Sequence, residues 1–243
     1  MAPRTPTHGR GAHRYPGAVE DGELVGLALA EPATGFGRMY DAYGSRLYDY
    51  CHGILRSGDE AADAVQDTFE TAINRLDQLR DPAKLRPWLY AIARNHCFQR
   101  TKKRERERST DDLELIMSRQ DVTSPSPAAP LEAAELQTLV WDAVGGLSEV
   151  DRAVVDLNVR HGLEGEELAS ALGVPVSRAY VMVHRAKSRL EGSVSALLVA
   201  RAGIAACPEL EAMVDGDPRR TGGLTPLLRK RVNRHLRSCE VCQ

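Results

Sequence analysis

The chain has 243 residues, 42% of them hydrophobic, which is too long for one small core and comfortable for two compact units with connecting segments. Its net charge of −2 gives no overall cationic field, so any nucleic-acid surface must come from local blocks of charge. No run approaches the roughly 20 apolar residues of a membrane span. The first residues lack the apolar centre of a signal peptide, and Cys51, Cys97, Cys207, Cys239 and Cys242 are odd in number and unevenly placed, which speaks against a secreted disulfide framework and for a cytoplasmic protein.

Residues 1–22 are rich in Pro, Gly, Arg and His with no apolar period, and a mobile tail is expected there. From Phe36, apolar residues recur at Met39, Tyr40, Tyr43, Leu47, Cys51, Ile54 and Leu55, the three-and-four spacing of an amphipathic helix. Ser57, Gly58 and Asp59 offer caps for a second helix, with Ala62, Val65, Phe69, Ile73 and Leu76 expected on its buried side. Asp81 and Pro82 open a third, striped by Leu85, Trp88, Leu89 and Ile92. One helical domain over 23–108 results.

The stretch 109–130 ends in Asp121-Val-Thr-Ser-Pro-Ser-Pro-Ala-Ala-Pro130, where prolines forbid a continuous helix, so a flexible linker is expected. Periodicity resumes at Leu131, Leu136, Leu139, Val140 and Val144, and again through Val150, Val154, Val155, Leu157 and Val159. This second helical domain covers 131–192, and 193–243 forms a small helical extension. No strand-like alternation of useful length occurs, and the fold class expected is all-α.

Gly162 to Ser177 has the pattern of a helix-turn-helix. Leu168 and Leu172 anchor a short first helix, Ala169 allows close approach, and Gly173 fits the left-handed turn. The second helix is expected over Val176–Leu190, with Ala179, Val183, Ala186 and Leu190 inward. Arg178, Tyr180, Val181, His184, Arg185 and Lys187 then face outward or along the flanks, within reach of DNA; the bland alternative is a helix pair with a solvated basic face.

In the first domain, Asp63-Ala-Val-Gln-Asp-Thr-Phe69 and Pro87-Trp-Leu-Tyr-Ala-Ile-Ala-Arg-Asn95 resemble region two of extracytoplasmic-function sigma factors, and Leu147 to Leu190 resembles their region four. The resemblance implies two DNA-binding domains, for the minus-ten and minus-thirty-five promoter elements. It also implies core RNA polymerase as partner, through the clamp helices of its largest subunit and its flap region. Asp63, Gln66, Asp67 and Glu70 share the outer side of their helix and are the expected polymerase contacts; on spacing alone they could equally be a solvated acidic face. Downstream, Arg94, Arg100, Lys102, Lys103, Arg104, Arg106 and Arg108 form a positive block suited to phosphates. For strand capture at the minus-ten element the resemblance points to Tyr90, Arg94 and Asn95, with Arg100 and Lys103 beside them. Trp88 sits on the apolar stripe and reads as core. Gln99, Tyr180 and Met182 depart from residues frequent in the family, leaving promoter preference open.

The extension holds His235-Leu-Arg-Ser-Cys239-Glu-Val-Cys242, with Cys207 upstream. His and Cys four apart share a helical face and a Cys-x-x-Cys turn can wrap a tetrahedral ion, so Cys207, His235, Cys239 and Cys242 are the expected ligands of one structural Zn²⁺; the alternative is a buried Cys207 thiol with no metal. The segment resembles the zinc-binding anti-sigma fold, which implies an anti-sigma domain in cis or a separate anti-sigma partner. The expected function is promoter selection and melting, with no catalytic residue. The rival is a stand-alone helix-turn-helix regulator with a metal- or redox-sensing module, under which the first domain has no purpose.

Overall fold

A computed structural model of the chain describes residues 18–110, 139–140, 142–202, 207–215 and 224–242, and the regular elements among them are all helical. The expected linker lies outside the described residues beyond Thr110.

The first unit comprises α1 (Ala18–Ala30), α2 (Pro32–Leu55), α3 (Gly58–Arg75) and α4 (Leu85–Thr110), with 3-10 turns at Leu76–Gln78 and Pro82–Lys84. Helix α1 begins inside the stretch expected to be tail. Val25 and Ala28 are buried, and Asp21, also buried, accepts a hydrogen bond from the Tyr43 hydroxyl. Burial pushes the Asp21 carboxyl above its ordinary value, while the Tyr43 bond pulls the other way. Along α2 the buried positions Met39, Tyr43, Leu47, Tyr50, Cys51, Ile54 and Leu55 keep the helical period; Tyr40 is exposed.

Helix α3 starts at the Ser57 N-cap, whose Oγ accepts the Glu60 N–H at 3.4 Å, a contact worth about 1 kcal/mol. Its buried side is Ala61, Ala64, Val65, Thr68, Phe69 and Ala72, and two expected members, Ala62 and Ile73, face solvent. The helix packs against both α2 and α4, and the alanines allow that double approach. In α4, Leu85, Leu89, Tyr90, Ala93 and Cys97 are buried and Trp88 packs against the core.

The second unit contains a helical stretch at 139–140 and 142–144, α5 (Glu149–Val155) running into a π turn at Asp156–Arg160, α6 (Gly165–Leu172) and α7 (Val176–Ala202). Ser148 caps α5, accepting the Asp151 N–H at 3.2 Å. Val150, on the first turn of α5, faces solvent while Val154 and Val155 are inside; the π turn then shifts the register, so Leu157 is buried and Val159 exposed. Helices α6 and α7 form the expected helix-turn-helix: Leu168, Ala169, Leu172, Ala179 and Ala186 are buried, and Gly173 takes φ 66°.

Helix α7 does not stop near Leu190 but continues to Ala202, because Ser193, Ala196 and Leu197 extend its buried side. Around that half are packed α8 (Pro208–Asp215) and α9 (Pro226–Ser238). They share a second core of Ala143, Ala196, Leu197, Cys207, Leu210, Leu224, Leu228 and Val232. Gly146 sits at the tightest point, where a Cβ would run into Ser193 Oγ and come within 2.8 Å of Leu224 Cδ2. Gly146→Ala is therefore expected to destabilise this core by about 1–3 kcal/mol, measured as a lower urea midpoint.

Candidate nucleic-acid interface and metal centre

Arg178, Tyr180, Val181, His184, Arg185 and Lys187 are all exposed on α7, with the α6 turn positioning its first residues. Bonds that brace this helix come from its middle: Arg189 pairs with Asp151 at 2.6 Å, and Ser193 Oγ donates to the Ala143 carbonyl at 2.5 Å. A groove between α6 and α7, of about 290 Å³ and lined in part by Glu164, Tyr180 and Lys187, opens beside the outward residues.

On α3, Asp63, Gln66 and Glu70 are exposed and Asp67 is half-buried. Part of this acidic side is already engaged by α4. Arg100 reaches Asp67 at 2.5 Å and Asp63 at 3.6 Å, Arg104 pairs with Glu60, and His96 lies 3.9 Å from Asp67 and 3.0 Å from the Thr71 hydroxyl. Gln66 Nε2 donates to Glu70 at 2.8 Å. Arg100, expected among the strand-contacting cations, thus also ties α4 to α3, whereas Lys103 is exposed.

The remaining strand-capture candidates are split. Asn95 is exposed and accepts from Arg94 Nη2 at 3.2 Å. Tyr90 does not face solvent: it is 0% exposed, because α4 is covered on this side by the second unit. Its hydroxyl lies 2.9 Å from His161 Nδ1, and Tyr50, Tyr90 and His161 pack ring against ring. Arg94 is half-buried, with Nη2 3.5 Å from where a side chain on Gly173 would begin, and desolvation draws its guanidinium below the ordinary value.

Three residues that the sequence reading did not single out build this junction. Arg86, one turn before Tyr90, donates to the His161 carbonyl and lies 3.4 Å from Glu167 of α6. Asp156 and His161 stand at the two ends of the π turn, 3.5 Å apart, both buried. Nearby, Arg160 donates to the Asp49 carbonyl at 3.2 Å, Arg152 to that of Ile54 at 3.3 Å, and Thr101 to Glu149 at 3.0 Å. Desolvation, then the neighbouring Arg56, pulls the Arg152 guanidinium down to about 10.

At the far end of α7, the ligand atoms of Cys207, His235, Cys239 and Cys242 all lie within 4.8 Å of one another, a group that could hold a metal ion. Cys207 Sγ is 3.1 Å from His235 Nε2 and 3.9 Å from Cys239 Sγ, and Cys242 Sγ is 3.4 Å from the same Nε2. Glu209 lies 3.7 Å from the other ring nitrogen of His235. Desolvation pushes the Cys239 thiol up, but the N–H groups of Val241 and Cys242 and the adjacent thiols outweigh it and hold Cys239 below the ordinary value.

A helical bundle with an acid-faced helix, followed by a helix-turn-helix with its recognition side open, defines a two-part helical DNA-binding protein. Residues 39–107 match sigma-70 region 2 and residues 137–190 match sigma-70 region 4. The extracytoplasmic-function (ECF) RNA polymerase sigma factor SigL of Mycobacterium tuberculosis is 27% identical over 181 residues, 73% of this chain and 98% of SigL. The ECF sigma factor BldN of Streptomyces coelicolor is 30% identical over 166 residues, 66% of this chain and 62% of BldN. The chain also spans 40% of the probable sigma factor RfaY of Xanthomonas campestris, at 27% identity. The fold is shared with the sigma factor RpoE of Bartonella quintana, solved with the anti-sigma factor NepR (TM-score 0.52, 23% identity, 66% of this chain and 96% of that one). It is shared as well with CnrH, solved with the cytosolic domain of CnrY (TM-score 0.52, 24% identity, 72% and 97%). The chain belongs to the ECF sigma factors of the sigma-70 family.

Proposed function

We propose that the chain brings core RNA polymerase to promoters through α3, reads the minus-thirty-five duplex with α7, and helps open the minus-ten element with α4. The observation that carries this reading is the open recognition side of α7 in a chain whose first unit matches region 2. Asp63, Gln66 and Glu70 supply accessible acceptors for the clamp helices of the largest subunit, with Asp67 held back by Arg100. Binding and strand capture are the whole task, so no catalytic residue is assigned, and the site of action is the cytoplasm; among the described residues no helix is long and apolar enough to cross a membrane. The domain limits proposed are 18–110 for the first unit, 139–202 for the second and 207–242 for the extension.

Because the second unit covers Tyr90 and crowds Arg94, promoter opening requires the two units to part. The extension seats on the second half of α7 and leaves both the α3 acids and the recognition residues uncovered, which supports a bracing part rather than a lid over those faces.

The Cys₃His group suits zinc. Tetrahedral zinc with Zn–S near 2.3 Å and Zn–N near 2.0–2.1 Å separates ligand atoms by roughly 3.5–3.8 Å, and the S–S distance of 3.9 Å and N–S distances of 3.1 and 3.4 Å lie close to that. Bound there, zinc would supply a closed structural cross-link, with Glu209 steadying the His235 ring.

Run-off transcription from a promoter library with core polymerase tests the function: transcripts should depend on the chain, and Asp63→Ala/Gln66→Ala/Glu70→Ala should weaken core binding roughly tenfold or more. Tight operator binding without core, and no transcripts, would instead establish a stand-alone regulator.

A further inference from the structure

Helix α9, Pro226-Leu-Leu-Arg-Lys-Arg-Val-Asn-Arg-His-Leu-Arg-Ser238, carries Arg229, Lys230, Arg231, Arg234 and Arg237 and no carboxylate. An ordinary solvated helix mixes charges and gains from opposite signs four apart; like charges at that spacing repel. Among the described residues Lys230, Arg231 and Arg234 have no ion-pair partner to offset the repulsion. Leu228, Val232 and His235 turn inward, and Lys230, Arg231, Arg234 and Arg237 are exposed.

The placement of that cationic face on α7 is informative. Arg229 donates to the Arg189 carbonyl at 3.4 Å and Asn233 to the Gly192 carbonyl at 3.0 Å. Residues 189 and 192 follow Arg178, Val181 and Arg185 at intervals of three and four, so α9 docks on the recognition side of α7, one to two turns further along. Lys230, Arg234 and Arg237 adjoin the flank of α9 that touches α7. At 27 residues α7 is about 40 Å long, far more than the roughly 12 Å width of a major groove. Its second half therefore leaves the groove, and α9 rides beside it, where the flanking backbone runs.

We propose that the outward face of α9 is a second duplex contact, in which Lys230, Arg234 and Arg237 grip phosphates flanking the element read by the recognition residues. This rests on the reading of α7 as the duplex-binding helix and extends the footprint of the chain beyond its helix-turn-helix. Its ligand is the sugar-phosphate backbone, recognised by charge, so it adds affinity and register without sequence preference.

The test uses the full chain and a duplex of about 30 base pairs, roughly three helical turns, with anisotropy titrations between about 50 and 200 mM KCl. Lys230→Gln/Arg234→Gln should lower the slope of log affinity against log salt by about 2, one phosphate per cation, with thermal melting unchanged since both side chains are exposed. Arg178→Gln/Arg185→Gln serves as the comparison. A slope lowered by the recognition pair but unmoved by the α9 pair overturns the proposal and leaves the proposed function standing; a slope moved by neither overturns both. Loss of core-polymerase affinity in the α9 pair with the DNA slope unchanged would make this a protein-binding face and also overturn it.

Discussion

Removing metal from the purified protein is expected to unfold α8 and α9 while leaving the first unit folded. Apparent zinc-binding free energies of about 10–16 kcal/mol in small zinc-finger peptides show how much of such a fold one ion can hold. The second core here is small, and two of its members are Leu210 of the short α8 and Cys207 just before it. The intact protein should contain one zinc per chain, and Cys239→Ser should lose it. Thiol titration gives an independent reading. Cys51 and Cys97 are buried in the first unit, so chelation should expose three of the five thiols and no more. A metal-free preparation with all of its helicity and a well-ordered extension would sink the assignment.

Replacing His161 with alanine should release the two units from each other. The substitution removes the 2.9 Å contact with the Tyr90 hydroxyl and the ring packing on Tyr50 and Tyr90. It also takes a neighbour from Asp156, 1% exposed and 3.3 Å from the position a side chain at Gly53 would occupy, leaving it with Arg160 at 3.8 Å and the charge of Arg152. Leaving a buried polar group short of a partner costs about 1–3 kcal/mol, and the chain escapes that cost by opening and letting water reach the carboxylate. A shift of roughly tenfold to a hundredfold toward the open form follows. Scattering should record a larger radius of gyration, and affinity for a single-stranded minus-ten oligonucleotide should rise. Tyr90→Phe, which removes only the hydroxyl, should move the same equilibrium by about 1 kcal/mol. Unchanged dimensions and unchanged strand affinity in His161→Ala would show that closure does not depend on this junction.

The helix-turn-helix was legible because its signals are local: Leu168 and Leu172 one turn apart, a small Ala169, and a glycine where φ must be positive. The Cys/His group was legible for the same reason, since three of its four members lie within eight residues. What escaped the sequence was set by contacts between distant segments. Tyr90 lies on a helix buried on two sides, and a single apolar stripe cannot announce the second. Asp156 and His161 are paired by a π turn, five residues apart, a spacing outside the helical and strand templates. Asp21 stood within what looked like a polar tail, because nothing in a lone carboxylate signals that a tyrosine hydroxyl will meet it inside a core. The exposed Ile73 shows the converse, where small alanines at 61, 64 and 72 decide the packing and a larger apolar residue is left outside.

Helix α7 joins the recognition residues to the extension as one rod, and Gly192 is the weak point in its middle, since glycine inside a helix costs roughly 0.5–1 kcal/mol. Asn233 acts as a splint there, its amide fixed to the Gly192 carbonyl. A chain whose α9 has come away keeps the recognition residues of α7, Arg178 to Lys187, yet joins them to the extension through a jointed arm. The groove-reading half would stay braced by Arg189 on Asp151, and the extension would swing instead, holding whatever it grips on a slack tether.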